Sequence, residues 1–255
     1  MLRTLIASAV MLLATVCNAD IESALDAVVK VKSGNGTGTG TVFMVDTAGV
    51  HILTNAHVAT TKNVNVLFYR QGYESPPIPG TTVWRAPGMS GDPGTDNDLA
   101  VVVVDRGRLG YTPPAMPIAP LSAAAKDGES MITVGCPKGL WPQLFRGHIV
   151  NSPSGRQSPL TFYPPPLGGR SGSAIYDREC KHIVGVLAWI IGDGGKSVGG
   201  AVSLENVIKH LSGTAAYRNH VKGLIDAPYA VATGEVPKDI KTSNESEDGW
   251  KPVDS

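Results

Sequence analysis

The chain has 255 residues, 42% of them hydrophobic, which is enough for one large domain or two small ones. Its 22 Lys and Arg balance 22 Asp and Glu, so no basic excess indicates binding to nucleic acid or to an anionic membrane. The 30 glycines, 19 prolines and many short Val, Ile and Thr runs favour an all-β protein over a helical one.

Residues 1–19 have the layout of a cleaved secretory signal. Arg3 supplies a cation, an apolar stretch runs from Leu5 to Val16, and the small residue Ala19 ends the segment. The stretch is too short to span a bilayer comfortably. We therefore expect a secreted or periplasmic protein with no stable membrane span after cleavage; an N-terminal anchor or a buried helix is the alternative.

Two sets of short strands follow. A helical turn and a strand are predicted in 21–34, a hairpin in 35–58 with its second strand at Val50–Thr54, and further strands at 63–69 and 99–105. A Gly/Pro-rich loop is predicted between these last two, from 71 to 97. After a Pro- and Ala-rich connector over 108–130, the second set is predicted at 130–137, 144–151, 173–177 and 182–191.

A helix is predicted at 203–213, capped by Ser203 and stopped by a glycine, and a second helix in 214–226. The polar residues after it are expected to be disordered. The predicted segments are a signal peptide at 1–19, one strand set at 20–110, a second at 111–226 with the terminal helix, and a polar tail at 227–255.

The two cysteines of the mature chain, Cys136 and Cys180, leave two interpretations open. In an oxidising compartment they could form one disulfide, or they could be two buried small hydrophobic residues. Their separation gives no zinc spacing, and we expect no metal and no cofactor.

Peptide hydrolysis by a serine needs a base, an anion that orients the base, and backbone donors for the oxygen that becomes negative. His57 is a candidate base, because "LTNAHV" places it directly after an apolar strand. His51 and His182 begin strands and His148 lies within one. For any single histidine, a structural role is the alternative.

Asp98 directly precedes the apolar run "LAVVVV", so its carboxylate is predicted to be half-buried and in need of a partner. Asp92 and Asp96 compete from within the Gly/Pro-rich loop, and Asp105 competes from the end of the strand. A simple strand cap is the alternative role for Asp98.

Ser171 lies in "GGRSGSAIYD", between Gly169 and Gly172. Glycine is kept where the backbone turns sharply or approaches another group closely. The stretch therefore predicts either a surface turn or the loop of a nucleophile. Ser173 is the rival hydroxyl, although it begins the next predicted strand.

Taken together, "GTGTVFMVDTAGVHILTNAHV", "NDLAVV", "TVGCPKGL", "GGRSGSAIYD", "IVGVLAW" and "GGAVSLENVIKHL" resemble the chymotrypsin-like, or trypsin-like, serine proteases. The resemblance runs from about residue 28 to 212 and is nearest to the bacterial HtrA/Deg protease domain without PDZ domains. It implies an all-β fold of two six-stranded Greek-key β-barrels with the active site between them and a C-terminal helix. It also implies an exported serine endopeptidase that works through a Ser-His-Asp triad and an acyl-enzyme.

The same resemblance implies the roles of individual residues. His57 matches the base, Asp98 the orienting acid and Ser171 the nucleophile. The backbone N–H groups of Gly169 and Ser171 match the oxyanion hole. The digestive enzymes carry an aspartate before the nucleophile, where this chain has Arg170, so activation by a freshly cut N-terminus is not expected.

The resemblance also implies a substrate pocket lined by Pro165, Ala188, Trp189 and Ile190. The stretches that contain them, 163–169 and 187–190, hold no acidic residue and no histidine. A preference for Lys, Arg or Glu therefore lacks its counter-charge, and small or medium apolar residues are expected. The implied partner is a polypeptide substrate. A catalytically idle binding module on the same fold, and esterase chemistry by the same triad, are the alternatives.

Overall fold

A computed structural model describes residues 20–86, 97–151, 160–193 and 196–228. The predicted signal segment 1–19, the competing residues Asp92 and Asp96, and nearly all of the predicted tail lie outside these ranges.

Helix α1 (residues 20–27) precedes a strand-rich N-terminal half. Its strands are β1 (Val28–Ser33), β2 (Gly36–Val45), β3 (Val50–Thr54), β4 (Asn63–Arg70), β5 (Tyr73–Glu74), β6 (Ile78–Arg85) and β7 (Ala100–Val104). The neighbour order is β1-β2-β3-β7-β6-β4, and β4 pairs with β1 to close a barrel, while β5 pairs with β4 alone. Since β4 returns to lie beside β1, these six described strands form a Greek key.

The C-terminal half contains β8 (Ser130–Gly135), β9 (Gln143–Asn151), β10 (Leu160–Tyr163), β11 (Ala174–Tyr176), β12 (Ile183–Asp193) and β13 (Lys196–Ser203). These described strands close a second barrel in the order β10-β13-β12-β11-β8-β9. Here β11 returns beside β8, so the Greek-key pattern recurs. The expected pair of six-stranded barrels is confirmed.

The prediction of a loop over 71–97 was wrong, because β5 and β6 form within it. Pro79 and Gly80 concealed β6 from the sequence analysis, since both residues are uncommon in strands. Gly80 fits because its position is crowded: an added Cβ would lie 3.0–3.2 Å from side chains of Val66, Val102 and Val104. Strands β10 and β13 were likewise not predicted.

The predicted terminal helix is α2 (Leu204–Gly213), and the Ser203 side chain accepts a hydrogen bond from the backbone N–H of Asn206 at its start. A short helix, α3 (Arg218–Val221), follows and brings the end of the described chain back to the N-terminal barrel. Tyr217 is only 1% exposed there, and its hydroxyl lies 3.0 Å from Nδ1 of His51. The Tyr217 ring also packs on Phe43. The C-terminal segment that contains Tyr217 therefore connects the C-terminal barrel to the N-terminal barrel through His51 and Phe43.

Cys136 and Cys180 are both buried and no disulfide joins them, so the structure supports the hydrophobic interpretation and not the disulfide. Tyr176 on β11 pairs with Ile132 on the antiparallel strand β8. Cys136 follows the C-terminal end of β8, whereas Cys180 follows Tyr176 and so lies toward the N-terminal end of β8. The four steps from Ile132 to Cys136 along the chain span about 13 Å, well beyond the reach of a disulfide. Burial raises the pKa of the Cys136 thiol to about 11.

Within the described ranges, no helix combines the length and the apolar character that crossing a membrane requires.

Candidate active site

His57 and Asp98 meet between the end of β3 and the start of β7. The Asp98 side chain is 5% exposed and that of His57 is 37% exposed. One carboxylate oxygen of Asp98 lies 2.5 Å from Nδ1 of His57 and the other accepts the backbone N–H of His57 at 3.0 Å. An ionised carboxylate only accepts hydrogen bonds, so Nδ1 carries the proton. Nε2 is left as the basic nitrogen of the ring.

Asn55, which no sequence pattern indicated, fixes the turn of His57 against the segment that carries Asp98. Its side-chain N–H donates to the backbone oxygen of Asp98 at 2.7 Å. Its own backbone oxygen accepts the N–H groups of Val58 and Ala59. The turn that carries His57 is thereby held on the turn that carries Asp98.

The loop of Ser171 and the turn of His57 both border Gly38 on β2. An added Cβ on Gly38 would lie 2.5 Å from the Val58 side chain and 3.0 Å from the backbone oxygen of Ser171. The residue after His57 and the predicted nucleophile therefore border the same glycine. An added Cβ on Gly172, whose φ is +89°, would lie 2.0 Å from the backbone oxygen of Thr39, so this close approach requires glycine.

The hydroxyl of Ser171 donates to the backbone oxygen of Ala188 at 3.1 Å. Among the hydrogen bonds of the described residues, none joins Ser171 to His57. The structure thus brings His57 and Asp98 into direct contact, whereas the Ser171 hydroxyl is turned toward β12.

The backbone N–H groups of Gly169 and Ser171 both lack an acceptor among the described residues. Residues 167–170 form a turn in which Arg170 N–H donates to Leu167 at 3.4 Å and Gly169 has φ +86°, as a type II turn requires. The backbone oxygen of Gly168 accepts the N–H of Lys138 at 2.7 Å. Since N–H and C=O of one peptide point to opposite sides, the Gly169 N–H is directed away from Lys138.

Ser173, the rival hydroxyl, is fully buried and has a structural partner. Its hydroxyl donates to the backbone oxygen of Arg170 at 2.6 Å, and its N–H donates to the same oxygen at 3.0 Å. That oxygen belongs to the peptide whose N–H is the Ser171 N–H. Ser173 therefore sets the direction of this donor.

The other candidate residues, three histidines and Asp105, make contacts away from the serine loop. His51 lies between Asp46 and Tyr217, and His182 lies 2.8 Å from Asp177. The His148 ring packs near that of Tyr163. Asp105 is exposed and caps a 3₁₀ turn through the N–H of Gly107. No described hydrogen bond links any of these groups to Ser171.

The predicted pocket residues differ in exposure. Ala188 is buried beside Ser171, Pro165 and Trp189 are half-buried, and Ile190 is 49% exposed. The register shifts between Leu187 and Trp189, which marks a bulge at Ala188. Ile190 pairs with Gly199, where an added Cβ would lie 2.1 Å from the ring of Phe162. Phe162, which the sequence analysis missed, therefore fills the space that Gly199 leaves open on that strand.

Arg170 is 3% exposed, and no carboxylate pairs with it among the described residues. One terminal nitrogen donates to the backbone oxygens of Thr133 and Gln143 at 3.2 and 3.1 Å. The guanidinium also lies over the Phe145 ring at 4.8 Å. Burial lowers the pKa of Arg170 to about 10. Arginine thus anchors the nucleophile loop to β8 and β9 through carbonyl groups.

The Arg170→Asp variant is expected to lose about 3–5 kcal/mol of the free energy of unfolding, because a buried carboxylate would face carbonyl oxygens without a partner. Arg170→Met, which keeps the apolar stem, is expected to lose roughly 1–2 kcal/mol for the missing hydrogen bonds. Urea unfolding measures both. The control is Arg146→Asp at an exposed position of β9; an Arg170→Asp midpoint equal to that control contradicts the anchoring role.

No group of three or more His, Cys, Asp and Glu side chains suited to a metal ion occurs in the part of the chain that the structure describes.

A model of the trypsin-like peptidase domain matches residues 38–186. No curated protein sequence matches the chain.

Solved structures with the same fold include three proteases or protease-like chains. The serine endoprotease from Yersinia pestis is 23% identical, with a TM-score of 0.58 over 76% of this chain and 64% of that one. A serine-to-alanine variant of a protein from M. tuberculosis, in an inactive form, is 24% identical, with a TM-score of 0.57 over 80% and 93%. The HtrA-type protease AlgW with a tripeptide is 22% identical, with a TM-score of 0.55 over 76% and 61%. The chain spans less than two thirds of the length of the first and third of these structures.

Proposed function

Because the chain belongs to the trypsin-like peptidase family, we propose that it is a serine endopeptidase that acts through Ser171, His57 and Asp98. The observation that carries the proposal is the buried Asp98 carboxylate, which accepts both the backbone N–H and the Nδ1 proton of His57. This contact fixes the tautomer in which Nε2 can take a proton. The serine loop holds two N–H groups, those of Gly169 and Ser171, that have no acceptor among the described residues.

In the acylation step, the Ser171 hydroxyl turns from the backbone oxygen of Ala188 and donates its hydrogen bond to Nε2 of His57. As Oγ bonds to the substrate carbonyl carbon, its proton passes to Nε2, and Asp98 stabilises the resulting imidazolium. The negative carbonyl oxygen accepts from the N–H groups of Gly169 and Ser171. The C–N bond then breaks, and Nε2 returns the proton to the leaving amine.

In the deacylation step, a water molecule gives a proton to Nε2 as its oxygen bonds to the acyl carbon. The same two N–H groups stabilise the second negative oxygen. When the ester bond breaks, Ser171 Oγ recovers the proton and the peptide leaves with a new carboxyl group. The products are one amine and one carboxylic acid, and the enzyme returns to its starting state.

The proposed substrate is a polypeptide with a small or medium apolar residue before the cleaved bond. The half-exposed Ile190 supports this preference, because it presents an apolar and not a charged side chain two residues after Ala188. We further propose that the enzyme is exported to a periplasmic or extracellular location, which the layout of residues 1–19 supports.

One observation favours a second candidate, a catalytically idle binding module on the same fold. The Ser171 hydroxyl donates to Ala188, and a serine that kept this partner would not be activated by His57.

A fluorophosphonate probe on the purified protein separates the two candidates. The endopeptidase is expected to gain one label per chain, and peptide mapping is expected to locate it on Ser171. Boiled protein is the control for non-specific phosphonylation. An idle module leaves the native protein unlabelled, and a label on Ser173 contradicts the assignment of the nucleophile.

A further inference from the structure

Thr39 on β2 of the N-terminal barrel is fully buried and bonds to the serine loop of the other barrel at two points. Its backbone N–H donates to the backbone oxygen of Ser171 at 2.8 Å. Its hydroxyl donates to the backbone oxygen of Gly169 at 2.9 Å. The two residues that carry the proposed oxyanion donors are therefore both tied to Thr39.

The hydroxyl of Thr39 has a second partner, since it accepts the N–H of Cys136 at 3.0 Å. Cys136 begins the turn that contains Lys138, whose N–H binds the oxygen of Gly168. Gly169 thus lies between two fixed peptides. Lys138 holds the carbonyl before it and Thr39 holds the carbonyl after it.

These two anchors matter because glycine populates positive and negative φ about equally well. Without them, the peptide between Gly168 and Gly169 could rotate, and its N–H would leave the direction of the substrate oxygen. The φ of +86° at Gly169 is one that other residues rarely adopt. The neighbouring backbone atoms of Lys138 and Cys136, 2.7 and 2.8 Å from an added Cβ, exclude a larger and stiffer residue there.

We infer that Thr39 is a positioning residue for the oxyanion hole: its hydroxyl orients Gly169 and sets that donor in register with the barrel that carries His57. This inference rests on the proposed endopeptidase function. Thr39 touches no reacting atom and acts through Gly169.

The test compares Thr39→Val, which keeps the side-chain shape and removes the hydroxyl, with Thr41→Val. Thr41 is the matched control because it is on the same strand, is equally buried, and also uses its hydroxyl oxygen across the barrels, accepting the N–H of Ala174 at 3.3 Å. Measurements are kcat and KM on a peptide with an apolar residue before the cleaved bond, and inhibition by the matching peptide boronate. The boronate mimics the tetrahedral intermediate.

Loss of one oxyanion donor typically costs 10²- to 10³-fold in kcat. Thr39→Val misorients such a donor and does not delete it, so we expect a loss of about 10- to 100-fold in kcat with an unchanged KM. Boronate binding is expected to weaken by a similar factor. Thr39→Ser is expected to recover most of the rate, and Thr41→Val to leave all three quantities near wild type. If Thr39→Val does not fold, Thr39→Cys takes its place. The thiol is a weak hydrogen-bond donor, so the kcat of Thr39→Cys is expected to lie between the wild-type value and the value expected for Thr39→Val.

A kcat loss in Thr39→Val no greater than that in Thr41→Val overturns the inference, as does a rise in KM with unchanged kcat. Either result in an otherwise active, fluorophosphonate-reactive protein leaves the endopeptidase proposal intact. A wild-type protein that neither labels nor cleaves peptides refutes the proposed function itself.

Discussion

The Ser171→Ala variant is expected to lose about 10⁶-fold in kcat, as in other enzymes whose triad serine is removed. The methyl group has no hydroxyl to bond to the substrate carbonyl, so no acyl-enzyme forms. Initial rates on a peptide with an apolar residue before the cleaved bond measure the loss, and far-UV circular dichroism shows whether the variant is folded.

Ser122→Ala is the matched control for that experiment, because Ser122 is an exposed serine in the connector between the barrels. It is expected to retain wild-type kcat. A folded Ser171→Ala protein that keeps more than about a thousandth of the wild-type rate would exceed the residual catalysis expected without the nucleophile. Ser171 would then not be the nucleophile.

The Asp98→Asn variant is expected to lose about 10⁴-fold in kcat while remaining folded. Asp98 accepts two N–H groups of His57 at once, but an amide offers one oxygen and one NH₂. If the NH₂ faces the ring, Nδ1 becomes the acceptor and the proton moves to Nε2. The nitrogen that faces the substrate can then no longer act as a base.

Asp105→Asn provides the control, because Asp105 follows the same strand, β7, with a side chain that is 69% exposed. It is expected to leave kcat and KM near wild type. An Asp98→Asn protein with a rate close to that of Asp105→Asn would show that Asp98 does not orient the base.

The site residues could be predicted from the sequence because each stands next to a strong local signal. His57 follows an apolar strand, Asp98 precedes one, and Ser171 lies among glycines; the family resemblance then supplied their roles. The distances now place His57 and Asp98 together, whereas the catalytic roles of all three remain predictions. The pair of barrels was also predictable from that resemblance, although strand patterns alone missed β5, β6, β10 and β13.

Thr39 and Lys138 escaped prediction for a physical reason. Lys138 acts through its backbone N–H, which every residue except proline has, and Thr39 acts on a carbonyl 130 positions away in the chain. Neither contribution changes the local pattern of apolar and polar residues. Phe162 was missed because its strand, β10, is four residues long and is followed at once by three prolines, which are uncommon in strands.

The contact of Tyr217 with His51 joins residues that are 166 positions apart, and this separation bears on the order of events during synthesis. The N-terminal barrel leaves the ribosome first, and domains generally fold in that order. Its Phe43 and His51 nevertheless remain without their aromatic cover until nearly the whole described chain has emerged. A nascent chain therefore carries the proposed base and acid on an incomplete N-terminal barrel, before the serine loop and Tyr217 have been synthesised. In a protein with the proposed activity, the three site residues cannot come together before the serine loop has left the ribosome.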